Sequence, residues 1–187
     1  MSKINPNKIL PTIHKTTTIA QSRFFKIEQV DLEFSNGATR EFERMAGSGR
    51  GAVMIIPLLD SDTMLLIREY AAGTHSYQLG FPKGLIDPGE TPNQAANREL
   101  QEEVGYQAVH FEALSDVMMA PTFFNATMNI LVAQGLTPSR LEGDEPEPLE
   151  VVPWSVTKVD ELLAREDFSE ARSIAALLLL QRWRDKR

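Results

Sequence analysis

Continuous apolar runs and short alternating ones divide the chain. AVMIIPLL (52–59) and MLLIREY (64–70) are apolar at nearly every position, the pattern of buried strands, and are expected to pair around the turn Asp60-Ser61-Asp62. SRFFKIEQVDLEF and ATREFERM flank Ser35-Asn36-Gly37, and Asn-Gly between such segments predicts a hairpin. SYQLG (76–80), FEALSDVMM (111–119), TMNILVAQ (127–134) and VVPW (151–154) read as further strands, with the loop APTFFNA between the second and third. Helices are expected around 157–165 and 169–184, and residues 1–22, polar and rich in Lys, Pro and Thr, are expected to be extended.

This order lacks the regular β-α alternation of a doubly wound fold. It predicts an α+β chain, an αβα sandwich with a mixed sheet. The leading segment and hairpin (1–45) are read as an annex whose strands could pair with another subunit, and 46–187 as the main domain. The acidic, proline-spaced LEGDEPEPLE (141–150) is read as a loop.

Between the strands lies GLIDPGETPNQAANRELQEEVGY (84–106). Thr91 with Pro92 makes a helix start, Gln94 completes a capping box, and Gly105 supplies a left-handed stop, so a helix is expected from about 92 to 104. Ala96, Leu100 and Val104 form its apolar line, while Glu99, Glu102 and Glu103 crowd an adjacent stripe. They repel one another and occupy the half of the helix where the dipole disfavours carboxylates. Arg98 can pair with Glu102, but one arginine does not balance three carboxylates. Oxygen ligands with no His or Cys nearby suit a hard divalent cation, Mg²⁺ with Mn²⁺ as a substitute. A solvated acidic face is the commoner explanation of such a stripe. Here it would also have to account for Gly84, Gly89 and Glu90 in the tight loop just before the helix.

The net charge of −7 and pI near 5.0 argue against an electrostatic grip on nucleic acid or anionic membrane. The absence of cysteine excludes disulfides, thiolate metal sites and a catalytic thiol. No signal-peptide core is evident, and IAALLLL (174–180) is far short of the ~20 residues of a membrane span, so a cytoplasmic location is expected. His14, His75 and His110 share no ligand spacing.

The stretch 84–106 resembles the Nudix box, G-x5-E-x7-R-E-U-x-E-E-x-G-U with U apolar. Gly84, Glu90, Arg98, Glu99, Leu100, Glu102, Glu103 and Gly105 match it, and Tyr106 departs mildly from the last position. LEFSNG, ERM, IREYA and LEGDEPEPL, with Pro121 fifteen residues past Tyr106, make the chain similar to the ADP-ribose pyrophosphatase branch of that superfamily. The resemblance implies the Nudix fold and hydrolysis of the pyrophosphate linkage of ADP compounds, releasing AMP. ADP-ribose, NADH and diadenosine polyphosphates are the expected substrates.

It implies further that Glu99 and Glu103 are metal ligands, assisted by Glu102 and the Lys83 carbonyl. Gly84, Glu90, Arg98 and Gly105 would be structural, and Arg44, Arg68 and Pro121 substrate contacts. The general base would be Glu145 or Glu147 of the acidic loop, with Glu102 a third contender; the sequence leaves this open. Two departures, Ala71 where the branch carries a second arginine and Gln78 in place of a glutamate, point to a broader range of ADP compounds. A homodimer is expected. The rival readings are a non-catalytic ADP-ribose or NAD sensor, for which the acidic stripe would be eroded, and a hydrolase of nucleotide sugars with another base or sugar.

Overall fold

The computed structural model describes residues 8–47 and 49–187; residues 1–7, part of the segment expected to be extended, lie outside it. The chain groups into two compact units. The first comprises residues up to Gly49 together with Met119–Ala126, the second Arg50–Met118 with Thr127–Arg187.

The first unit is built on three antiparallel strands, β1 (Thr12–Gln21), β2 (Lys26–Glu33) and β3 (Thr39–Met45). The Asn-Gly turn joins β2 to β3 as expected: Gly37 takes φ 79° and the Asn36 side chain accepts the Ala38 N–H at 3.0 Å. β1 is more than an extended tail. Its threonines are β-branched, and the ladder to β2 gives their backbone groups partners.

The second unit holds two short sheets. In one, β4 (Ala52–Pro57) runs parallel to β9 (Phe124–Pro138) and antiparallel to β7 (Lys83–Leu85). β8 (Tyr106–Ala120) pairs with β9 as a long hairpin whose distal end belongs to the first unit. In the other, β5 (Thr63–Ala71) lies between β6 (Ser76–Gly80) and β10 (Glu150–Ser155).

The expected pairing of 52–59 with 64–70 is corrected here: β4 and β5 belong to different sheets, and among the described residues the two runs pair at no more than a Leu58–Met64 bridge beside the turn. Burial on both faces is the reason. Val53, Ile55, Leu65 and Ile67 enter one core with Ala96, Leu100 and Val104. Met54, Ile56, Met64 and Leu66 enter a second core with Leu162, Leu177 and Leu180. Strands buried on both faces need helices on both sides, which is the αβα sandwich.

Those helices are α1 (Pro92–Glu99), α2 (Val159–Leu163) and α3 (Ala171–Arg184). The helix expected over 92–104 begins with the Thr91–Gln94 capping box and ends at Gly105 with φ 82°. Its last turn, Leu100–Val104, is a wider π turn closed by Gly105 N–H to the Leu100 carbonyl at 3.1 Å. α3 starts on Glu170, whose carboxylate accepts the Arg172 and Ser173 N–H groups.

Candidate active site

The glutamate stripe sits where α1 passes into its π turn, against β7. Glu99 and Glu103 are 9% and 6% exposed, while Glu102 is half-buried. Burial disfavours their ionised forms, pushing Glu99 up to about 7 and Glu103 up to about 8. Arg98 opposes the shift at Glu99, and the Lys83 charge with its backbone N–H, 2.9 Å from Glu103, opposes it at Glu103.

Arg98 is the hub of the loop. Its guanidinium donates to Glu90 at 2.9 and 3.1 Å, to Glu99 at 2.7 Å, to Glu102 at 3.0 Å and to the Leu85 carbonyl at 2.9 Å. Glu90 also accepts the Asp87 N–H, and Arg98 beside it holds its carboxyl below the usual range. The structure therefore brings together Glu90 and Arg98, the two residues the resemblance marks as structural, and their pair ties the loop to the helix. Gly84 is required by close approach: a Cβ there would lie 1.9 Å from the Glu99 carboxylate. Gly89, by contrast, is needed for its φ of 90°.

These residues line a cavity of about 620 Å³. Eight acids face it (Glu69, Asp87, Glu99, Glu102, Glu103, Glu142, Asp144, Glu145) against three cations (Lys83, Arg98, Arg172). The cations are already engaged. Lys83 bonds Glu69, Arg98 bonds the glutamates above, and Arg172 bonds Glu170 at 2.5 Å. A cavity with this balance repels an anion unless further positive charge enters it. Among the described residues, no group of three acidic, His or Cys side chains is close enough to form a ready-made metal cage. Buried hard-oxygen donors with an excess of negative charge nonetheless suit a divalent cation whose shell is completed by backbone, water or substrate oxygens.

The other residues singled out in the sequence divide. Glu145 lines the cavity, and burial raises its pKa. Glu147 borders an adjoining hollow of the same loop, but its carboxylate accepts the Tyr77 hydroxyl at 2.5 Å. Arg68, on β5, lies between Glu150 at 2.8 Å and Asp167 at 2.5 Å and is not among the residues lining the cavity. Arg44 and Pro121 belong to the first unit, where they line a groove with Leu10, Ile13, Val30, Phe42 and Phe123; Arg44 also bonds Glu28 at 3.1 Å. Glu69, Asp87, Glu142, Asp144 and Arg172 were missed. Arg172 comes from an element distant in sequence and carries no local motif, Glu69 lies in IREYA, which was read for its arginine, and Glu142 and Asp144 were hidden in a loop read only for Glu145 and Glu147.

Two family models match the chain: a NudE-type Nudix hydrolase N-terminal domain over residues 11–44 and the NUDIX domain over residues 49–178. The ADP compounds hydrolase NudE of Escherichia coli is 56% identical over 173 residues, 92% of each chain. The ADP-sugar pyrophosphatase of Mus musculus is 32% identical over 68% of this chain and 62% of its own. A crystal structure of an ADP compounds hydrolase superposes with a TM-score of 0.92 at 53% identity, covering 96% of both chains. Members of this family generally use a divalent metal, in keeping with the acid-lined cavity. Fold, box residues and relatives agree: the chain belongs to the Nudix hydrolase family.

Proposed function

We propose that the protein hydrolyses the pyrophosphate linkage of ADP-containing compounds (ADP-ribose, NADH and diadenosine polyphosphates), releasing AMP and depending on Mg²⁺ or Mn²⁺. The observation that carries this reading is the cavity's eight acids against three engaged cations, centred on two glutamates buried at a cost in desolvation. The printed names of the relatives support the ADP moiety. The intact stripe of Glu99, Glu102 and Glu103 argues against the sensor reading.

Glu99, Glu103 and the Lys83 carbonyl would hold the cation, with Glu102 assisting; bound there, it would screen the pyrophosphate charge and acidify a water. Arg98 orients Glu99 and Glu102 through its bonds to both, and Glu90 fixes Arg98 in turn. Gly84 leaves the space that the Glu99 carboxylate fills. Glu145, facing the same cavity, is the proposed general base: it takes a proton as the water oxygen bonds to one phosphorus. The bridging P–O bond breaks, and the other phosphate half leaves.

Arg68 is proposed as an anchor of β10 and the 165–168 loop in place of a substrate contact, since Glu150 and Asp167 engage it. Arg44 and Pro121 remain proposed substrate contacts. The division into an annex of 1–45 and a main domain of 46–187 is kept as a proposal, as is a cytoplasmic location; among the described residues no helix is long and apolar enough to cross a membrane. A homodimer is proposed through the first unit, where Leu10 at 87%, Phe24 at 78% and Phe25 at 58% are exposed.

The reading is tested by phosphate-ester release with Mg²⁺ from a panel of ADP-ribose, NADH, NAD⁺, diadenosine triphosphate, ADP-glucose and GDP-mannose. Turnover confined to ADP compounds supports it. Preference for GDP-mannose, or binding of ADP-ribose without turnover of any member, would sink it.

A further inference from the structure

The acidic loop crosses the cavity between two sets of anchors. Upstream, the Ser139 N–H donates to the Gly105 carbonyl at 3.0 Å, the Ser139 hydroxyl to Gln101 at 2.8 Å, and the Leu141 N–H to the Gln101 carbonyl at 3.3 Å. Downstream, Glu150 is bound by Arg68 at 2.8 Å, and Leu149 packs on the core beneath α1. Between them Gly143 passes over Glu102, where a Cβ would lie 3.5 Å from that residue's Cβ, and Glu145 faces the cavity. One further tie reaches the middle of this span, the hydroxyl of Tyr77 on β6 donating to Glu147 at 2.5 Å.

We propose that Tyr77 and Glu147 form a latch that positions the loop and, through it, Glu145 over the carboxylate-lined cavity. The catalytic consequence rests on the reading of Glu145 as base.

Three observations support the latch. The Tyr77 ring is itself held, meeting Tyr70 edge-on at 5.9 Å, while the Tyr70 hydroxyl bonds His75 at 2.9 Å. The Tyr77 hydroxyl donates to a carboxylate, a charge-assisted bond that is stronger than one between neutral groups. The segment Glu145-Pro146-Glu147-Pro148 is stiff, because each proline fixes its own φ and pushes the preceding glutamate into extended backbone. Pinning the Glu147 side chain therefore restricts Glu145 two residues away. Tyr77 does not line the cavity, so it is a positioning residue, and Glu147 acts with it instead of serving as the base.

The experiment compares wild type, Tyr77→Phe, Glu147→Gln, the double variant and Glu145→Gln by steady-state kinetics across pH and by amide exchange of residues 142–147. Tyr77→Phe is expected to lower kcat about tenfold, the scale of one charge-assisted hydrogen bond, with KM and the shape of the pH profile unchanged. Loop exchange is expected to rise about tenfold at an unchanged melting temperature. Glu147→Gln keeps an acceptor oxygen and most of the activity, and the double variant is no worse than Tyr77→Phe. Wild-type kcat with unchanged loop exchange in Tyr77→Phe would overturn the latch, and so would an effect confined to KM, which would mark Tyr77 as a substrate contact. A wild-type rate in Glu145→Gln would overturn Glu145 as base; loop exchange alone then upholds or overturns the latch.

Discussion

Replacing Glu103 by glutamine is predicted to stabilise the metal-free protein at pH 8 while abolishing turnover. Glu103 is 6% exposed, and its pKa is raised from 4.5 to about 8, chiefly by burial. Between those values the folded chain retains a proton that the unfolded chain has released. Stability therefore falls as pH rises through that interval and is fullest below it. Each tenfold in proton affinity is worth ~1.4 kcal/mol, so the gap sets a ceiling of roughly 4–5 kcal/mol on this cost at pH 8.

Relaxation around the carboxylate and coupling to Glu99 reduce that ceiling to about 2–4 kcal/mol. Glutamine carries no charge to desolvate, and its amide oxygen can still accept the Lys83 N–H. For a chain of this size the gain corresponds to about 5–12 °C in melting temperature. Thermal unfolding in chelator is the assay: a gain of that order for Glu103→Gln at pH 8, shrinking to under ~1 kcal/mol at pH 5. With Mg²⁺ the order should narrow or reverse, because only wild type gains from the cation. A variant no more stable than wild type in chelator at pH 8 would refute the claim that this carboxylate is held at a cost.

Gly84→Ala should lose activity at least a hundredfold, since the new methyl would overlap Glu99 and move that carboxylate; unchanged kinetics would show that β7 gives way cheaply. Thr91→Ala removes the capping box and should cost about 1 kcal/mol in denaturant unfolding, with kcat nearly preserved. Arg68→Ala leaves Glu150 and Asp167 without their shared cation and should lower the melting temperature with KM little changed, whereas a rise in KM alone would restore Arg68 to the substrate. Arg44→Ala is expected to raise KM without affecting folding, and an unchanged KM would remove it from the proposed contacts.

The local features of the site were legible in the sequence because they are set by residues close along the chain. The capping box at Thr91 and the left-handed Gly105 follow from short-range geometry, and the Glu90–Arg98 tie from the box that the stretch resembles. The double-sided burial of β4 and β5 was less legible, since a continuous apolar run does not say which strand will be its neighbour; β9 and β10, distant in sequence, supply those neighbours. The two loop glutamates were equivalent as letters, and the fold distinguishes them: Glu145 lines the cavity, while Tyr77 approaches Glu147 from β6. Arg68 likewise reads as an available cation until Asp167, ninety-nine residues away, is folded against it.

A Mg²⁺ titration of ADP-ribose hydrolysis, followed by AMP release for wild type and Glu99→Gln, is the most direct test of the central claim. If the buried glutamates hold the cation on which hydrolysis depends, wild type should be silent in chelator and saturate with Mg²⁺. Glu99→Gln should then need at least tenfold more metal or fail to turn over. Full turnover in chelator, or the same metal dependence in both proteins, would contradict the claim.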